Sequence, residues 1–193
     1  MKNLRLILLL IVVVLPACQS IDEGITHFSP ARRLAKAEEE IRAAENDYWR
    51  LRPLGAAAMA SVDVGDYARA KCYADDLLRL SVELFSKENP DDDSTHKGNL
   101  VLGRLALRGG NVEAAKSYLL KSAMVEGSPV LGSFGPNMTL AKELLEKDER
   151  QIVLEYFDLC AKFWEPGRDK QLKKWKSQVE AGKTPDFGAN LVY

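Results

Sequence analysis

The chain has 193 residues, 46% of them hydrophobic and 28% charged, with a formal net charge of −1. That size and balance suit a single globular domain with a substantial core and exclude a disordered chain. No overall field of either sign draws it toward nucleic acid, so partners have to be recognised locally. In chain order, Lys2 and Arg5 precede an uncharged run of 13 residues from Leu6 to Cys18. A bilayer span needs about 20, so this run is too short to cross. A cationic start, a short apolar stretch and the small Ala17 form the pattern of a secretory signal peptide, expected over residues 1–17.

The end of that run, Leu15-Pro16-Ala17-Cys18, resembles the lipobox of bacterial lipoproteins, although Pro16 departs from the small or aliphatic residue usual there. The resemblance implies that Cys18 is lipidated and becomes the mature N-terminus, followed by a linker over 18–28 that includes His27. Acyl chains contribute about 0.8 kcal/mol per buried CH₂, and two or more make anchoring stable. Gln19, where inner-membrane lipoproteins usually carry aspartate, implies an outer-membrane anchor with the protein facing the periplasm. Ten residues separate Cys18 from Ser29, a reach of at most about 36 Å. The folded part would stay close to the bilayer.

From Ser29 onward the pattern is helical and no strand is expected. Ser29-Pro30 is an N-cap followed by proline at the first helical position. Leu34, Ala37, Ile41, Ala44, Tyr48 and Leu51 then follow at steps of three and four, which predicts one helix that ends or kinks at Arg52-Pro53. Glu38, Glu39 and Glu40 fan around it as a solvated face.

Three later segments align with one another: residues 54–78, 99–123 and 137–161, each reading helix, turn, helix. Gly65-Asp66 and Gly110-Asn111 hold the same turn, glycine for the left-handed conformation and Asp66 or Asn111 to cap the next helix. The third turn, Lys147 to Arg150, has Asp148 in place of glycine. Ala70, Ala115 and Val153 occupy one matching position after the turn, and Leu119 matches Phe157.

Through Leu102-Gly103, Gly110-Asn111, Ala115, Leu119 and Ala123, the chain resembles the tetratricopeptide-repeat (TPR) superfamily; Asn99 and Ala106 replace its usual tryptophan and tyrosine. The resemblance implies an all-α fold of antiparallel helical hairpins stacked as a short right-handed TPR-like solenoid, with repeats at about 54–86, 97–126 and 137–164 in a domain over 29–193. A last helix at about 168–180, with Leu172, Trp175 and Val179 inward and Lys170, Lys173, Lys174 and Lys176 outward, would cap the stack. Phe187, Leu191 and Tyr193 in the tail over 181–193 are expected to tuck against it.

Two connections stand out. Asp91-Asp92-Asp93 lacks the glycine and distant glutamate of a calcium loop and reads as solvated. The segment Gly127 to Pro136 is apolar and glycine-rich, so Val130, Leu131 and Phe134 form the candidate binding loop. It either covers the seam between hairpins or lines a groove where a partner lies.

No residue set spells a reaction. Three cysteines and two histidines are too few and scattered for a metal site, and no nucleophile elbow or Walker loop occurs. His96 reads as a cap or surface residue, and Cys72 and Cys160 as buried, unpaired small hydrophobes. No catalytic residue, cofactor or metal is expected. The implied role is a membrane-anchored envelope scaffold that binds a protein or peptide. The alternatives are a periplasmic binding protein for a small ligand or peptide, which calls for a closed apolar pocket, or an envelope enzyme with an unrecognised site.

Overall fold

The structure, a computed structural model, describes residues 29–164 and 169–192. The expected signal peptide, Cys18, the linker with His27, the Glu165-Pro166-Gly167 break and Tyr193 lie outside these residues. Every regular element among the described residues is helical: α1 (Pro30–Ala43), α2 (Asp47–Asp63), α3 (Tyr67–Leu84), α4 (Asp92–Arg108), α5 (Val112–Ala123), α6 (Pro129–Phe134), α7 (Thr139–Leu145), α8 (Arg150–Cys160) and α9 (Asp169–Glu180), then a 3₁₀ turn, Gly188–Leu191.

The first helix starts where the cap-proline pair places it, the Ser29 hydroxyl accepting from the Arg32 amide. It does not run on to Arg52. The chain breaks at residues 44–46, and the Asn46 side chain accepts from the Tyr48 and Trp49 amides to start α2. A good cap outweighs a continuous apolar stripe here, because it satisfies two amides that otherwise have no partner. Pro53 lies inside α2 instead of ending it. The amide it lacks would have bonded the carbonyl of Trp49, an exposed residue, where solvent can substitute.

Three turns share one geometry. Gly65 and Gly110 have φ of 82° and 79°, and Asp148, at 65°, takes the same left-handed conformation without being glycine. In each, that residue's amide and the next reach back to the preceding helix: Asp66 to the Ser61 carbonyl, Asn111 to Ala106, Glu149 to Leu144. These are Schellman ends. Asp66 and Asn111 then cap α3 and α5 by accepting from the Arg69 and Ala114 amides.

Contacts follow chain order. α1 packs on α2, α2 on α3 and α4, α4 on α5 and α7, α5 on α8, and α8 on α9. No extensive contact among the described residues joins α1–α3 to α8 and α9. Alanines make the close approaches: Ala57, Ala58, Ala60, Ala70 and Ala74 are fully buried in the first half, as are Ala115 and Ala141 in the second. The larger core lies C-terminal, where Trp175 of α9 stands against Phe157, Trp164 and Phe187 with ring centroids 5.0 to 6.2 Å apart. Phe187 is buried in the tail and Leu191 packs on the same core. Cys160 is buried and Cys72 is exposed, neither bonded to another cysteine; the expectation of two buried thiols holds only for Cys160, because Cys72 falls on the outer side of α3.

A row of charges crosses these helices. Arg33 of α1 bonds Asp63 of α2 at 2.8 Å, Arg104 of α4 reaches Asp63 at 2.9 Å and Glu143 of α7 at 3.0 Å, and Arg108 joins the same carboxylate at 2.7 Å. Arg104 Nη1 faces Asp63 off the hydrogen-bond line, so that contact is charge attraction more than a directed bond. Arg104 is only 6% exposed, and its two carboxylates compensate the burial of its charge.

Gly103 marks the tightest crossing. A Cβ there would overlap a methyl of the fully buried Leu140 and lie 3.0 Å from the Cβ of Tyr118. Alanine would gain about 1 kcal/mol of helix propensity, but the overpacking costs more. Net of that gain, Gly103→Ala is expected to lower stability by about 1–2 kcal/mol in chemical denaturation followed by far-UV circular dichroism; an unchanged or raised midpoint would contradict the close crossing of α4 with α5 and α7.

Candidate functional site

The groove begins with how α6 is held. Ser128-Pro129 repeats the pairing at Ser29-Pro30, and the Ser128 hydroxyl accepts from the Leu131 amide to cap α6. The three aspartates expected to be solvated are all engaged. Asp91 caps α4 by accepting from the Ser94 amide, Asp92 accepts from the Gly127 amide at 2.8 Å, and Asp93 accepts from the Ser128 hydroxyl at 3.0 Å. Burial, the largest influence, pushes the Asp93 carboxyl up, partly offset by the Ser128 bond.

The other end of α6 is fixed as firmly. The Asn190 side chain donates to the carbonyls of Phe134 and Pro136, and the Met138 amide donates to the Asn190 carbonyl at 2.7 Å. Gly135, at φ 83°, lies against the Trp164 ring where a Cβ would clash. Held at both ends, α6 buries Leu131 and turns Val130 and Phe134 outward together, four residues apart on one face.

Those two side chains border hollows running along α2. The first, about 290 Å³, lies against Tyr48, Trp49, Leu51 and Leu77. The second, about 470 Å³, lies against Ala37, Gly55, Ala56 and Met59, with Phe134 and Val192 at its margin. Arg52, Lys97 and Val130 line both. The structure thus brings Val130 and Phe134 to the groove and leaves Leu131 in the core.

Charge is not spread evenly. Glu40 accepts from Arg52 at 2.9 Å and faces Lys36 at 3.9 Å, whereas Glu38, two residues earlier, accepts from Tyr73 and Arg69 of α3. The Tyr73 bond above all, with Arg69, holds the Glu38 carboxyl below its usual range. Lys97 lays its stem over Gly55, its Cδ 3.0 Å from where a Cβ would be. Burial pushes its amine down, opposed by the charge of Asp93.

At the rim, aromatic side chains face solvent. Tyr48 and Trp49 are 54% and 60% exposed, their rings edge-on at 5.3 Å, and Phe85 stands 6.4 Å from Tyr48. Phe134 is also exposed. Large aromatics and arginine are the side chains that dominate protein interfaces.

No three His, Cys, Asp or Glu side chains converge as metal ligands among the described residues, and no described helix is long and apolar enough to cross a membrane. Comparison of the chain with protein-family models, curated proteins and solved structures finds no match.

Sequence reasoning placed Arg52 only at a helix end and did not single out Lys97 or Trp49. His96, expected as a cap or surface residue, is instead 1% exposed. Its Nδ1 lies 2.8 Å from the Ser122 carbonyl and its Nε2 accepts from the Asn137 amide at 3.0 Å. A carbonyl only accepts and an amide only donates, so the ring is neutral with its proton on Nδ1. It ties α4 to the end of α5 and to the segment leading into α7.

Burial pulls the His96 pKa down from 6.5 to about 4. Between those values the unfolded chain binds a proton that the folded one refuses, so this contribution is complete above pH 6.5 and is lost as pH falls toward 4. The loss is expected to be about 3 kcal/mol. Urea denaturation at pH 7 and pH 4.5 should show wild type losing more stability than His96→Leu, which is weaker at both pH values; equal losses would contradict a neutral buried ring.

Proposed function

We propose that the chain is an outer-membrane lipoprotein of the cell envelope whose helices stack as a short right-handed TPR-like solenoid and serve as a scaffold for another protein. The observation that carries this reading is the pair of hollows along α2, bordered by Trp49, Tyr48 and Phe134 and divided by Arg52 and Lys97. Serial helix packing supports the stack, since units that touch only their neighbours leave one continuous side free for a partner. The three Schellman turns, Gly65, Gly110 and Asp148, support the repeat alignment.

The alternative of a small-ligand protein calls for a closed apolar pocket. These hollows carry cations at their junction and exposed aromatics at their rim, which suits a peptide surface better. The anchor rests on Cys18 and the preceding Leu15-Pro16-Ala17.

A photo-reactive phenylalanine analogue at position 134, expressed in cells in the otherwise native chain, is expected to cross-link to an envelope protein. The same analogue at Lys174 on α9 should yield none. Cys18→Ser is expected to lose palmitate labelling, move to the soluble fraction and lose the adduct. Equal cross-linking from both positions would sink the groove as the binding surface, and unchanged fractionation of Cys18→Ser would sink the anchor.

A further inference from the structure

The hollows follow one another along α2, the first beside Tyr48 to Arg52 and the second beside Arg52 to Met59. At 1.5 Å per residue, the helix from Tyr48 to Met59 is about 16 Å long. Its two apolar stretches are separated by charge: Arg52 from α2 and Lys97 from α4 line both hollows at their junction.

The carboxylates nearby already have work. Asp91 caps α4, Asp93 holds Ser128, and Glu40 binds Arg52 and faces Lys36. Among the described residues no carboxylate oxygen lies within 4.0 Å of Lys97 Nζ. Arg52 uses one nitrogen on Glu40 and keeps its side chain 79% exposed, leaving guanidinium donors open. An incoming carboxylate at the junction would supply the direct partner that Lys97 lacks.

We propose that the groove takes an extended segment of a partner protein in which one acidic residue, with an apolar residue two places to either side, sets its carboxylate between Arg52 and Lys97. This rests on the scaffold reading and deepens it. In an extended strand, residues two apart point to the same side, and five residues reach roughly 13 Å, close to the length the hollows occupy along α2. One apolar side chain enters beside Trp49 and Leu77, and the other beside Met59 and Phe134. An amphiphile whose charge sits at one end fits poorly, because Arg52 and Lys97 lie where the two hollows meet, with apolar side chains of α2 on both sides of them.

Trp49 provides the readout. Of the three tryptophans, it is 60% exposed while Trp164 and Trp175 are 7% and 2% exposed, so emission changes from a ligand in the groove come from Trp49. The purified protein is titrated with capped Leu-Ser-Glu-Ser-Leu and with versions carrying Gln or Lys at the centre. The Glu peptide is expected to shift Trp49 emission and to bind about tenfold tighter than the Gln peptide, with the Lys peptide weaker still.

In Lys97→Met, which keeps the stem over Gly55, the preference for Glu over Gln should shrink to about twofold or less while both peptides still bind; Arg52→Gln should shrink it in part. Equal binding of the Glu and Gln peptides to wild type would overturn the acidic position while leaving a peptide groove in place. A response to phosphatidylglycerol vesicles and to none of the peptides would overturn the proposal in favour of a lipid. Self-association that quenches Trp49 and blocks the peptides would overturn it in favour of a second copy of this chain.

Discussion

Arg104 is the point at which the helices are held in order. Its guanidinium is nearly buried on α4, and it reaches Asp63 at the end of α2 and Glu143 on α7, with Arg33 and Arg108 completing an alternation of charge. A buried cation that lost either carboxylate would be strongly unfavourable, so α2, α4 and α7 are restricted to arrangements that bring those carboxylates within reach. Apolar packing alone is less selective. The alanines of α2 and α3 would tolerate small slides of one helix along another, whereas the Arg33–Asp63 and Arg104–Glu143 pairs are hydrogen-bonded and have direction as well as distance.

The groove inherits its shape from that order. Arg52 and Lys97 meet because α2 and α4 lie side by side, and the hollows extend along α2 on both sides of that meeting. α6 closes the edge, fixed at one end by Asp92 and Asp93 of α4 and at the other by Asn190 of the tail. Segments distant in the chain thus fix a six-residue helix too short to stand alone. The outcome is an exposed aromatic and aliphatic pair, Val130 and Phe134, on a rigid mount. Rigid presentation of contact groups lowers the ordering cost of binding.

Much of the helical framework is legible in the sequence, because caps and turns are local. Ser29-Pro30, Gly65-Asp66 and Gly110-Asn111 each act within four residues, and Asp148 was identifiable as a glycine substitute by its place in the alignment. The break before Asp47 was also local, yet the apolar stripe obscured the Asn46 cap. The same cap-proline signal at Ser128-Pro129 marks α6, which the reading of the glycine-rich segment 127–136 as a loop passed over. Partners of charged residues were not legible. Arg33 and Asp63 are 30 residues apart, Arg104 and Glu143 39, and His96 and Asn137 41. Periodicity tells which face a residue occupies but not whether another helix covers that face. The one available cue was Arg104 itself, a lone charge within Leu100 to Leu107, where a buried arginine needs carboxylates from elsewhere.

A double-mutant cycle on Arg104→Met and Glu143→Met, with stability taken from urea denaturation, tests this dependence most directly. Glu143→Met leaves the nearly buried Arg104 with Asp63 alone, Arg104→Met leaves Glu143 with Arg108 alone, and the double removes both members of the pair. The ordering described above predicts a coupling energy of about 2–4 kcal/mol, with the double variant no less stable than either single one. Additive effects, with coupling below about 0.5 kcal/mol, would mean that α4 and α7 hold their places without the charge row, and the groove would then owe its shape to apolar packing alone.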